Sequence, residues 1–288
     1  MKPNFFDLYK KDAYSNPLKE LFVSCLNIFF PLDALAQKIP FFDKLIEKEG
    51  IGKTASELLK YLKIKITTNN LKKLDKKSGY LIFGNHPMFL DPILILTVIK
   101  EDKMKFLGLK FILKIGSNFA KHVFPIQNLQ IVNGKRRKKH LWDDWFFKFF
   151  LPSLGECNLR EKAVVFNREQ VEKSAQFLAK KGKLLIFPCG HGRSLNKKNW
   201  KNGIGFILSK AIQKYGGKNI KLLPFFINIK HSCTFQLKAL SRFRKPSNLN
   251  IYFGKEIDAS KYSHLTFDPR KLTRRIGEEY RDFIRSLK

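Results

Sequence analysis

The sequence predicts an α/β domain, a mixed sheet flanked by helices, with an N-terminal helical segment ahead of it. Three observations predict this. Short apolar runs of strand length, Tyr80–Phe83, Leu184–Phe187 and Leu222–Ile229, recur along the chain. Stretches of helical length lie between them, such as Glu169–Lys181 and Gly203–Lys214, and strands alternating with helices make a layered α/β domain. Before residue 70 the spacing is helical only: Leu18, Leu21, Phe22, Cys25, Leu26 and Phe29 follow the i, i+3, i+4, i+7 pattern. A chain of 288 residues buries a full core as one large domain with an extension. Residues 1–70 therefore read as an N-terminal helical segment, and 71–288 as the main domain.

The helix from Pro17 has no strongly polar face, so it must bury itself in protein or in lipid. A second helical stretch runs from about Phe41 to Tyr61, interrupted by Gly50 and Gly52. In the main domain, Tyr80–Phe83 is a strand, Pro92 to Lys100 a helix, Lys105–Leu109 a strand and Phe111–His122 a helix. Glu169–Lys181 is a helix ended by Gly182, and the strand at Leu184–Phe187 comes after it. Asn250–Phe253 reads as a further strand, and Lys271–Ser286 closes the chain as an amphipathic helix. The stretch at about 134–160 breaks the rhythm as a basic and aromatic insertion. Lys135, Arg136, Arg137, Lys138 and Lys139 precede Trp142, Trp145, Phe146, Phe147, Phe149 and Phe150. Cations that meet lipid phosphates, followed by rings at headgroup level, suit a membrane-surface anchor.

Charge narrows the partners. The chain has 56 Lys and Arg against 24 Asp and Glu, a net +32, which favours a polyanion: nucleic acid or an anionic membrane surface. Twelve of the 28 Phe fall in adjacent pairs, as at Phe5-Phe6 and Phe41-Phe42, and paired Phe beside Lys suits a lipid interface better than single stacking rings along a strand. There is no zinc spacing and no basic-aromatic strand motif, so no specific nucleic-acid partner is expected. Cys25, Cys157, Cys189 and Cys233 are widely spaced with no CxxC, which implies a reducing compartment, no disulfide framework and no metal site. The longest apolar run, Leu21–Phe30, is about half the length a spanning helix needs. Ala34-Leu35-Ala36 resembles a signal cleavage site, but the segment before it carries Asp7, Asp12 and Glu20. A peripheral or monotopic protein on the cytoplasmic face of a membrane is expected.

The sharpest chemical signal is Gly84-Asn85-His86-Pro87-Met88-Phe89-Leu90-Asp91-Pro92. His86 and Asp91 lie five positions apart, just after a strand and at the entry to a helix. A carboxylate on one ring nitrogen fixes the tautomer and stabilises the imidazolium, and an imidazole titrating near pH 7 removes a proton from an attacking hydroxyl.

Asn85-His86 followed by Asp91 resembles the first motif, Asn-His-x4-Asp, of the glycerolipid acyltransferase superfamily, the lysophosphatidic-acid and glycerol-3-phosphate acyltransferases. Val164-Val165-Phe166-Asn167-Arg168 looks like their second motif, an apolar strand ending in Arg. Phe187-Pro188-Cys189-Gly190-His191-Gly192-Arg193-Ser194 resembles the third, Phe-Pro-Glu-Gly-Thr-Arg-Ser, and Leu222-Leu223-Pro224-Phe225-Phe226 the fourth. The four stand in family order across residues 80–228. The resemblance implies His86 and Asp91 as the catalytic pair. It implies Asn85, Arg168, Gly190, Arg193 and Ser194 as substrate-binding residues. Cys189 stands where the family has Glu, and His191-Gly192 lengthens the motif by one residue, which leaves the acceptor open.

The expected activity is O-acyl transfer from acyl-CoA or acyl-carrier protein to a hydroxyl of a (lyso)glycerolipid or glycerol phosphate, with no cofactor. The rivals are a divergent acyltransferase acting on another lipid, and a non-catalytic basic protein that binds lipid or nucleic acid.

Overall fold

A computed structural model describes residues 5–127, 160–190, 200–229, 231–241 and 245–287. The basic and aromatic insertion up to residue 159 lies outside these residues, as do Arg193 and Ser194.

The chain opens with four helices: α1 Phe5–Ala13, α2 Pro17–Phe29, α3 Leu32–Glu49 and α4 Ile51–Tyr61. Strands β1 Ile64–Asn69 and β2 Gly79–Gly84 come next, then α5 Asp91–Ile99 and β3 Lys105–Leu109. A 3-10 turn (Lys110–Lys114), the short α6 Ser117–Ala120 and β4 Val123–Ile126 succeed them. Beyond these lie α7 Arg160–Ala179, β5 Lys183–Ile186, α8 Gly203–Gln213, β6 Ile220–Asn228 and α9 Ser232–Leu240. The described chain closes with β7 Ser247–Phe253, β8 Ile257–Asp258, a 3-10 segment (Ala259–Leu265) and α10 Pro269–Arg285.

The strands form one mixed eight-stranded sheet, ordered β1-β7-β6-β2-β5-β3-β4, with β8 on β6. β2 pairs parallel with both β5 and β6, whereas β6 pairs antiparallel with β7. Every residue of β2 is buried, as expected of a central strand covered on both faces. Tyr80 and Ile82 pack with Ala55 and Leu59 of α4 and Leu94 and Ile95 of α5. Leu81 and Phe83 face the other way, onto Ala175, Ile207, Ile276 and Tyr280 of α7, α8 and α10. The strand period of two thus feeds two cores, and the carboxyl ends of β2, β5 and β6 lie side by side between them.

Several sequence expectations need correction. The segment before residue 70 is helical only to Tyr61, since Ile64–Asn69 pairs parallel with β7 as a strand of the sheet. Phe111–His122 is not one helix, because Gly116 breaks it in an extended conformation and Asp43 of α3 caps the short helix α6 beyond the break. The Asp43 carboxylate accepts from the backbone N–H of Asn118 (3.1 Å) and of Phe119 (2.8 Å), which fastens the N-terminal helices to the domain. The apolar strand read at Val164–Arg168 lies inside helix α7. Buried Ala163, Gln170, Ser174, Ala175 and Leu178 fall on one helical face across that stretch, and this long period outweighs the local β-branched pair Val164-Val165.

The N-terminal helices have their own small core of Tyr9, Val23 and Ala36. The hydroxyls of Tyr9 and Tyr14 donate to the two oxygens of Asp33, at 2.7 and 2.6 Å. The outer side of α2 presents Leu18, Leu21, Ile28 and Phe29 to solvent, with Phe41 of α3 also exposed. Among the described residues no helix is long and apolar enough to cross a membrane.

Candidate active site

The site begins where β2 ends. A Cβ on Gly84 would sit 2.4 Å from the Phe225 carbonyl oxygen, so only glycine allows β2 and β6 to approach this closely. Asn85 is the next residue, and it is buried. Its Nδ2 donates to the Ile227 carbonyl (2.9 Å) and its Oδ1 accepts from the Ile227 N–H (2.8 Å), so its amide is committed to β6.

His86 comes next, and Asp91 opens α5. Nδ1 of His86 lies 2.8 Å from Oδ2 of Asp91, and the same oxygen accepts from the Met88 N–H at 2.8 Å. An ionised carboxylate only accepts, so Nδ1 carries the proton and Nε2 is the ring's basic nitrogen. The Asp91 side chain is 0% exposed and sits in the first turn of α5, where the helix dipole favours negative charge. The His86 side chain is 17% exposed, which leaves the ring an edge toward solvent.

Phe187, the first residue beyond β5, stacks on the imidazole, with ring centres 4.2 Å apart and planes 22° apart. Phe225 meets the far side of Phe187 edge-on at 5.9 Å. The base is thereby set in an apolar wall. Burial pulls the His86 pKa down to about 4, and a hydrogen bond with the Met88 backbone offsets this in part. The sequence placed this imidazole near pH 7, and the stacked rings are the reason it lies lower.

This shift sets an expected titration. The unfolded chain protonates the histidine near pH 6.5, and the folded one only toward 4. His86 therefore leaves stability untouched above about 6.5 and lowers it as pH falls between those values. In an NMR titration the His86 ring signals are expected to move well below pH 6.5. A midpoint at or above 6.5 would show that the Asp91 charge outweighs burial.

The other sequence candidates are placed around this pair or away from it. Gly190 ends the turn beyond β5, with φ +70°, and its N–H donates to the Phe187 carbonyl at 3.1 Å. The left-handed backbone favours glycine there, and among the described residues a Cβ would meet nothing within 4 Å. Cys189 is fully buried. Arg168 is exposed on α7, one position beyond Asn167, whose side chain pairs with the Gln127 backbone just past β4 (2.7 and 2.9 Å). Two strands, β5 and β3, separate β4 from β2, so Arg168 stands toward the far edge of the sheet from His86. The structure thus brings His86, Asp91 and Asn85 together at the end of β2, with Phe187 against the imidazole and Gly190 three positions further along the chain. Among the described residues no group of three or more His, Cys, Asp or Glu is placed to hold a metal ion.

Sequence reasoning missed two residues here, Phe187 and Tyr280. Phe187 stood inside a motif, and its contact with His86 depends on the pairing of β5 with β2. Tyr280 lies 195 positions from Asn85, and no local signal points to it.

No family model and no curated protein matches the sequence. Among solved structures the chain is similar to the 1-acyl-sn-glycerophosphate (LPA) acyltransferase PlsC from Thermotoga maritima. The identity is 14%, the match covers 95% of this chain and 98% of that one, and the TM-score is 0.42.

Proposed function

We propose that the protein is an acyltransferase that moves a fatty acyl group from a thioester donor, acyl-CoA or acyl-carrier protein, to a hydroxyl of a (lyso)glycerolipid or glycerol phosphate at a membrane surface. The observation that carries this reading is the His86–Asp91 hydrogen bond of 2.8 Å at the carboxyl end of the central strand, with Phe187 stacked on the imidazole. Crevices at the carboxyl ends of sheet strands are where α/β folds bind ligands.

In this mechanism Nε2 of His86 takes the proton of the acceptor hydroxyl as its oxygen attacks the thioester carbonyl. The tetrahedral intermediate collapses, the carbon–sulfur bond breaks, and the imidazolium returns its proton to the leaving thiolate. Asp91 stabilises the imidazolium between these steps. A base held neutral by burial is ready at pH 7 and needs no prior deprotonation. Asn85 serves as a positioning residue, since its amide is committed to β6. Gly190, whose N–H is bonded to the Phe187 carbonyl, shapes the turn beside the base. Arg193 and Ser194 are proposed contacts for an acceptor phosphate, which a guanidinium binds bidentately, whereas Arg168, toward the far edge of the sheet, is not placed to share that contact with His86.

The exposed apolar side of α2, together with exposed Phe41 of α3, docks the protein on the membrane. Lys38, whose ammonium lies 5.7 Å from the Phe41 ring centre, supplies positive charge beside that ring. A net charge of +32 favours an anionic leaflet and the acidic donors.

The buried Cys189 in place of the family's Glu favours a second reading, acylation of a different lipid acceptor. One experiment separates the two: vesicles, radiolabelled acyl-CoA or acyl-carrier protein, and matched acceptors with and without a phosphate. Preferred labelling of the phosphorylated glycerol acceptor supports the first reading. Preferred labelling of an unphosphorylated lipid supports the second, and no labelled ester from any pair would sink both.

A further inference from the structure

We infer that Tyr280, on the last helix of the chain, is a positioning residue that holds His86 in line through the backbone of Asn85. As far as turnover is concerned, the inference rests on the acyltransferase reading. The β2–β6 ladder ends at Gly84 opposite Phe225. At that point the Tyr280 hydroxyl inserts between the strands. It accepts from the Asn85 N–H at 2.8 Å and donates to the Phe225 carbonyl at 2.9 Å.

Both backbone groups are buried, and without the phenol each would lack this partner. Burial pushes the phenol pKa well above its ordinary value, so the hydroxyl keeps its proton and stays a donor. The ring has little freedom to leave. Phe83 stands 5.7 Å from it, Trp200 5.5 Å and Phe283 6.1 Å, and the residue is 1% exposed. The Asn85 side chain makes its two bonds to Ile227 from the other direction. The residue just before the base is thus gripped twice, once by β6 directly and once by α10 through a single oxygen. A proline comes directly after His86, so the segment leaves the sheet at once, and these bonds hold it at the point of departure.

The test is Tyr280→Phe, which keeps the ring and removes the oxygen. Trp200→Phe is its control, since it loosens the same aromatic cluster and leaves the phenol in place. Two readouts are used: the ring nitrogen shifts of His86 by NMR, which need no substrate, and acyl transfer. In Tyr280→Phe the His86 tautomer balance and titration midpoint are expected to move. A misplaced base is expected to lower kcat about 10- to 100-fold while KM stays within about twofold. Trp200→Phe is expected to leave the His86 signals at their wild-type positions.

If both variants disturb His86 alike, or neither does, Tyr280 is a packing residue and the inference fails. Should Tyr280→Phe not fold, 3-fluorotyrosine placed at position 280 alone weakens the oxygen as an acceptor for the Asn85 N–H and keeps the ring in its cluster. Unchanged His86 ring signals in that protein would overturn the inference. A wild-type protein that shows no acyl transfer, while Tyr280→Phe still shifts the His86 ring signals, would remove the proposed function and leave the positioning role standing.

Discussion

Asp91→Asn is expected to lower kcat by about 10³- to 10⁴-fold with little change in KM or in folding. The Met88 N–H requires an oxygen at this position, and the asparagine carbonyl still supplies one, so the turn into α5 survives. The charge does not survive. Asp91 is fully buried, and its carboxylate compensates the imidazolium as it forms in an apolar wall where water cannot. The oxygen that meets the Met88 N–H is also the one that faces Nδ1, so asparagine keeps the tautomer and the loss comes from the missing charge. Acyl transfer and a thermal melt, measured on one preparation, check both halves. A variant with wild-type kcat would remove Asp91 from the mechanism, and one that unfolds would make its role structural.

The second large effect concerns the membrane. Leu21 and Ile28 point outward from α2 on the same side as Leu18 and Phe29. Burying a leucine-sized side chain is worth about 1.5–3 kcal/mol. Replacing both by Glu in the double variant Leu21→Glu/Ile28→Glu removes two such contributions and adds two charges that an anionic leaflet repels. The partition onto vesicles containing anionic lipid is expected to fall at least about 100-fold. Co-sedimentation measures it, and turnover of a water-soluble acceptor is expected to stay near wild type, because the His86–Asp91 pair lies in the sheet and not in these helices. Equal partition of variant and wild type would show that α2 does not carry the docking and would turn attention to other basic or aromatic segments.

The features legible in the sequence were local ones. β2, β5 and β6 are continuous apolar runs, and the His86–Asp91 pair spans five positions, so both could be read without knowing the fold. The short strand β4 contains Pro125 and only four residues, and β1 carries Thr67, Thr68 and Asn69, so neither stood out from a loop. Val164–Arg168 misled because three β-prone residues were read ahead of the helix face that runs on either side of them. The site's remaining contacts come from chain pairing. Phe187 reaches His86 because β5 lies beside β2, and Tyr280 reaches Asn85 because α10 folds back across β6. Neither relation has a sequence spacing. Asn85 shows the same limit from the other side: the motif named it, and only the sheet shows that its amide is committed to Ile227.

The central claim is that His86 is the base of an acyl transfer. It is tested most directly by initial rates of wild type and His86→Ala, side by side, on vesicles with a labelled thioester donor and the preferred acceptor. The mechanism predicts a labelled ester from wild type, loss of at least about 10³-fold in His86→Ala, and equal vesicle binding by the two proteins. Turnover by His86→Ala near the wild-type rate would contradict it.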